Sequence, residues 1–212
     1  MLAPLKALLG HHALYVALQR AVGADRLRYR CLDELALSEG DTVIDVGCGP
    51  AYYFARLPKV NYFGFDTSAR YIEHARNRWG SDVAEFRCEI FGEEHLDKIP
   101  PADAILLLGL LHHLSDDAAR HLLRVAGKAL APGGRVISVD TAFAPGQGRI
   151  SRWMSENDRG EHVRTPEAFV ALAREAFADV DGEVVDDATR VPSAHWMMRM
   201  RTPVVAIADG SA

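Results

Sequence analysis

The chain has 212 residues, 49% hydrophobic and 25% charged, enough for one well-buried domain and marginal for two. Its net charge of −5 and pI of about 6.0 argue against a large basic footprint for nucleic acid. The three cysteines, Cys31, Cys48 and Cys88, form no CxxC or Cys/His cluster at metal spacing, which argues against a disulfide framework and fits a reducing cytoplasm.

The opening stretch, MLAPLKALLGHHALYVALQR, is apolar but interrupted by His11, His12 and Gln19. A signal peptide needs a longer unbroken apolar run, and a membrane helix needs about 18 apolar residues. Residues 4–21 and 24–37 are therefore expected to form two amphipathic helices separated by Gly23. SEGD (38–41) is a turn and TVIDV (42–46) a short buried strand. PAYYFARLP (50–58) suits a short helix with Pro50 in its first turn. NYFGFD (61–66) is a second strand, 68–80 a helix stopped by Gly80, and AEFRCEI (84–90) an alternating third strand. ADAILLLGL (102–110) is so apolar that both of its faces must be covered, as in a parallel sheet. Ser115 is placed to cap a helix running to Leu130, with Asp116 and Asp117 in its first turn. APGG (131–134) is a turn and RVISVD (135–140) the fifth strand. A long connection, 141–164, carries a short helix near 149–157, and a helix over 165–177 opens on Thr165 and Pro166. Strands at 179–187 and 194–201 follow with no helix between them, so that pair can be antiparallel. Five strand–helix alternations imply a doubly wound parallel sheet, in which ligands sit at the carboxyl ends of the strands.

VIDVGCGP (43–50) lies at such an end. Gly47 and Gly49 allow positive φ and close approach of a ligand to the backbone. Alone, a G-x-G separates poorly from a plain strand-to-helix turn. Asp66, 17 residues beyond Gly49 at the end of the second strand, is placed to accept from ribose hydroxyls. A dinucleotide fingerprint would carry a third glycine where Tyr52 stands. Asp45, two residues before Gly47, would oppose a diphosphate and suits a cationic ligand.

In these segments the chain resembles the class I S-adenosylmethionine (SAM)-dependent methyltransferases of the small, seven-stranded type. DVGCGPA resembles the family's first motif, with Ala51 in place of a frequent glycine, and GFDTS resembles the second. CEIF (88–91), DAILLLGLLHHL (103–114) and LAPGGRVISVD (130–140) resemble the third, fourth and fifth, so the match runs over roughly 40–140. The resemblance implies an α/β Rossmann-like doubly wound seven-stranded sheet, with an antiparallel last strand and helices on both faces. One methyltransferase domain over 1–212 is expected. The implied cofactor is SAM, with S-adenosylhomocysteine (SAH) as product. The residues implied to hold it are Asp45, Gly47, Cys48, Gly49, Asp66, Thr67, Glu89, Ile90, Leu108 and Gly109. Asp66 falls on the ribose, Glu89 on the adenine amino group and the Ile90 backbone on the ring.

The acceptor end is less specific. His112 and His113 follow the fourth strand and are the candidate catalytic bases, although a histidine pair here is more often structural. His195, His162 and Asp140 are rivals. Tyr53, Trp153, His162 and His195 are the candidate substrate contacts, and 141–164 is the expected lid, since long connections are disproportionately functional. No Asn/Asp-Pro-Pro-Tyr/Phe follows the fourth strand, and no Pro-Cys pair or Lys-Asp-Lys-Glu set is evident. These absences favour a small-molecule acceptor over a nucleic acid. A non-catalytic SAM- or SAH-binding module and a protein or RNA methyltransferase are the alternatives. No metal and no membrane association are expected.

Overall fold

The computed structural model describes residues 24–204, so the helix expected over 4–21 lies outside the described residues. Helix α1 (Ala24–Leu35) precedes strands β1 (Thr42–Val46) and β2 (Asn61–Phe65), helix α2 (Ala69–Trp79) and strand β3 (Ala84–Arg87). Strand β4 (Ala102–Leu108), helix α3 (Asp116–Ala129), strand β5 (Leu130–Thr141), helix α4 (Arg149–Glu156) and helix α5 (Pro166–Arg174) follow. Strands β6 (Phe177–Val185) and β7 (His195–Pro203) complete the sheet. Its order is β3-β2-β1-β4-β5-β7-β6. The first five strands run parallel, and β7 lies antiparallel between β5 and β6.

The apolar character of β4 is explained by its two neighbours. Ile105 and Leu107 face a cluster with Ala119, Leu122, Leu123 and Ala126 of α3 and Phe169 and Leu172 of α5. Ala104, Leu106 and Leu108 face the opposite cluster, with Leu27 and Cys31 of α1 and Ile72 and Ala75 of α2. Helix starts follow the capping residues: Ser68, Ser115 and Thr165 accept from the backbone N–H of Tyr71, Ala118 and Ala168. Each side chain answers one of the four N–H groups that a helix start leaves unpaired.

Four expectations change. Residues 50–58 form only a 3-10 turn at Phe54–Arg56, because Ala51 sits at φ +50° and a right-handed helix cannot pass through it. β3 stops at Arg87 rather than continuing to 90, because its sole partner, β2, ends opposite it at Phe65. APGG is absorbed into β5 as a bulge: Ala102 pairs with Leu130 and Ala104 with Arg135. The final strands pair from Phe177↔Pro203 to Val185↔His195, each displaced from the expected bounds, so α5 ends at Arg174. Among the described residues, no helix is long and apolar enough to cross a membrane.

Candidate functional site

The residues singled out above converge on one rim of the sheet. Gly47 follows β1, Asp66 follows β2, Glu89 follows β3 and Gly109 follows β4. Antiparallel pairing brings His195, the first residue of β7, opposite Thr141, the last of β5.

The glycine turn is built around Phe65, whose carbonyl accepts from both Gly47 N (2.8 Å) and Cys48 N (3.0 Å). Gly47 and Gly49 take φ of +76° and +56°. A Cβ on Gly47 would press on Leu110 at 3.2 Å, whereas one on Gly49 would meet nothing within 4 Å. The Gly49 backbone therefore borders open space. Asp66 Oδ2 accepts from Gly49 N at 2.9 Å and Oδ1 from Ser68 N at 2.8 Å, which fixes the carboxylate beside that space. Cys48 points inward with its thiol buried, and burial raises its pKa, so only its backbone faces the turn. Gly109, at φ +77°, donates to Val139 O at 2.7 Å and continues the wall behind the buried Leu108.

Asp45 lies beneath this turn rather than in the open space: it is fully buried. Its Oδ2 accepts from the hydroxyls of Tyr53, at 2.9 Å, and Tyr62, while Oδ1 has no partner. Burial is the largest effect on its carboxyl and the two tyrosine hydrogen bonds oppose it, leaving the pKa raised from 3.8 to about 6. The reading of Tyr53 as a substrate contact is corrected, since its ring is buried and its hydroxyl is spent on Asp45. At the β3 end, Thr67, Glu89 and Ile90 are exposed. Ile90 is 75% exposed, a large apolar side chain left uncovered among the described residues. Glu89 accepts from or pairs with His95 Nε2 at 2.9 Å.

The acceptor end holds a clamp that the sequence did not reveal. His112 Nδ1 lies 2.8 Å from Asp140 Oδ1, and Nε2 lies 3.3 Å from Asp158 Oδ1. Burial lowers its pKa, but the Asp140 hydrogen bond and the charges of Asp140 and Asp158 outweigh that, and the net shift is upward. Both ring nitrogens face carboxylates, which favours the doubly protonated ring that donates to both. Asp158 is tied further by Thr141 Oγ1 at 3.1 Å and Gly160 N at 2.7 Å. The buried Arg164 guanidinium donates to the carbonyls of Leu111, Leu114 and His162 and to Asp116 Oδ1. Together these bonds fasten 158–164 down over the 3-10 turn Leu111–His113. The sequence carried no signal for the 112–158 pairing, because nothing local links residues so far apart.

His113 stands beside His112 with ring centroids 4.1 Å apart and its side chain exposed. Partial burial first, then the neighbouring His112 charge, lower its pKa below 6.5. His195 is mostly desolvated, with Nδ1 unpartnered and its pKa lowered to about 4. His162 contributes its backbone N–H to His112 O at 3.0 Å. Trp153, on α4, is 59% exposed. Among the described residues no cluster of three or more His, Cys, Asp or Glu side chains is set to hold a metal.

These features fit SAM. The open backbone at Gly49, the Asp66 carboxylate beside it and the exposed Ile90 suit a nucleoside.

Residues 44–136 match the family model described as a methyltransferase domain. The chain is 30% identical over 158 residues to O-methyltransferase 16 of Lophophora williamsii, covering 68% of this chain and 40% of that protein. It is 32% identical to 27-O-demethylrifamycin SV methyltransferase of Amycolatopsis mediterranei over 57% of this chain and 46% of that one. It is also 30% identical to tRNA U34 carboxymethyltransferase of Sulfurovum over 59% and 42%. The chain thus spans less than half the length of these curated relatives. The crystal structure of the N-methyltransferase NodS from Bradyrhizobium japonicum superposes with a TM-score of 0.63 at 19% identity, over 85% of this chain and 97% of that one. The motifs at the rim, the strand order and the family match agree that this chain belongs to the class I SAM-dependent methyltransferases.

Proposed function

We propose that the chain transfers a methyl group from SAM to an oxygen or nitrogen of a small-molecule acceptor. The observation that carries this reading is the turn at Gly49: its backbone borders open space beside the fixed Asp66 carboxylate, with the buried Asp45 behind it. When bound, SAM supplies the electrophilic methyl group. Gly47 and Gly49 then give backbone close approach, Asp66 accepts from the ribose hydroxyls, and Glu89 and Ile90 border the adenine. Thr67, Leu108 and Gly109 complete the wall.

An acceptor hydroxyl needs its proton removed, and an acceptor amine must be uncharged. His113 meets that need, because its lowered pKa leaves it neutral near pH 7. His112 stands beside it, and His195 offers an unprotonated nitrogen on the same rim. Support for a small acceptor comes from the acidic net charge and from two relatives whose names specify O-methylation or a rifamycin substrate. The tRNA-modifying relative favours a second reading, transfer to RNA. A cytoplasmic setting fits three cysteines that are all unpaired.

The test is SAH formation from SAM across hydroxyl, amine and carboxylate acceptors, with tRNA alongside. Turnover confined to small molecules supports the proposal. Turnover confined to tRNA replaces it, and SAH binding without turnover on any acceptor makes the chain a binding module.

A further inference from the structure

His95 is the most deeply buried histidine of the described residues, at 1% exposure, and no step above uses it. It lies in the 3-10 turn Glu93–His95, with its ring edge-on to Phe65 at 4.9 Å and stacked on Phe91 at 5.8 Å. The Gly92 N–H points at Nδ1 from 3.1 Å. Nδ1 also lies 3.2 Å from the Gly92 carbonyl and 3.7 Å from Glu94 Oε1, so acceptors as well as a donor surround it. The Glu89 carboxylate can only accept, and the Nε2 that faces it must carry a proton to bond it. Nε2–H therefore donates to Glu89 Oε2, at 2.9 Å.

Glu89 is otherwise unconstrained. Its side chain is 57% exposed, and a surface glutamate loses rotamer freedom when a ligand must order it. A donor from a ring locked between two phenylalanines removes much of that freedom beforehand. Oε2 is taken by His95, which leaves Oε1 as the oxygen available to a ligand. The ring rests on Phe65, the residue immediately before Asp66, whose backbone carbonyl holds the glycine turn.

We propose that His95 is a positioning residue for recognition of the cofactor base, holding Glu89 so that its second oxygen accepts from the 6-amino group of adenine. This rests on the reading of Glu89 as the adenine contact. His95 touches no ligand itself and acts only through that carboxylate. Its effect is therefore confined to ligands that carry the amino group.

The experiment is calorimetric binding of SAH and of its analogue whose purine lacks the 6-amino group. The proteins are wild type, His95→Phe, Glu89→Ala and the double variant. His95→Phe keeps an aromatic ring between Phe65 and Phe91 but donates nothing. The expected result is about a tenfold loss of SAH affinity in His95→Phe, the scale of a lost hydrogen bond to a charged group, with less than about twofold for the analogue. In the Glu89→Ala background His95→Phe has no further effect. Should thermal denaturation show that His95→Phe does not fold, His95→Gln, which retains an N–H donor, is measured instead. It then keeps more than half of the preference for SAH over the analogue. Equal weakening of both ligands by His95→Phe, full additivity with Glu89→Ala, or complete loss of the preference in His95→Gln overturns the proposal. If Glu89→Ala alone leaves that preference unchanged, the reading of Glu89 fails and the proposal falls with it.

Discussion

Asp45→Asn isolates the charge beneath the glycine turn. The carboxylate is fully buried, held on Oδ2 by Tyr53 and Tyr62, with Oδ1 unpartnered. Its pKa rises from 3.8 to about 6 on folding. The folded state then binds more protons than the unfolded chain between those values, so stability falls as pH climbs through that window. A shift of roughly two units corresponds to about 3 kcal/mol, fully present below pH 3.8 and lost above pH 6. Asparagine keeps an acceptor for the tyrosines and carries no charge. Its amide N–H takes the place of Oδ1 with no acceptor, which costs about 1–3 kcal/mol at every pH. The absolute difference at neutral pH is therefore small, and the diagnostic quantity is its pH dependence. Relative to wild type, the variant should gain about 2–3 kcal/mol between pH 4 and pH 7.5. Urea denaturation of both proteins across that range reads it directly. Parallel stability curves would refute the reasoning, because they would mean that Asp45 ionises as freely in the folded state as in water.

Gly49→Ala separates fold from ligand site. The φ of +56° costs an alanine about 1–2 kcal/mol, or some 2–8 °C in Tm, but its Cβ meets nothing within 4 Å among the described residues. SAH affinity should nevertheless drop by about tenfold or more, and unchanged affinity would place the ligand elsewhere. His112→Ala and His113→Ala should behave oppositely. Removing the His112 ring strips the buried Asp140 of its charged partner and leaves it only the His112 backbone N–H, for a loss of about 3 kcal/mol in denaturation. Removing His113 should leave Tm nearly unchanged and lower kcat by about a hundredfold. With His113 as base, kcat falls on acidification with a midpoint below 6.5, and His113→Ala abolishes that limb. A retained limb would assign it to another group.

Much of the sheet was legible because the evidence for it is local. β4 reads as covered on both faces, two caps lie where Ser115 and Thr165 stand, and the missing helix between β6 and β7 foretells their antiparallel pairing. The glycine turn and Asp66 were legible for the same reason: a G-x-G after one strand and an acid after the next are short-range signals. What escaped was set by contacts between distant segments. Ala51 is left-handed and buried, and Tyr53 turns inward to meet Asp45, so the segment after the turn cannot become a helix despite its composition. The same holds at the acceptor end. His112 and His113 look equivalent in sequence, and only Asp140 and Asp158, brought in from β5 and the connection beyond it, distinguish a pinned ring from an exposed one.

The central claim is that the open face beside Gly47, Gly49 and Asp66 holds the methyl donor. Calorimetric titration of SAH into the wild type and Asp66→Ala tests it most directly. Saturable 1:1 binding to the wild type, weakened by about tenfold or more in a folded Asp66→Ala, is the predicted result. Absence of binding to the wild type, or equal affinity in the two proteins, would contradict it.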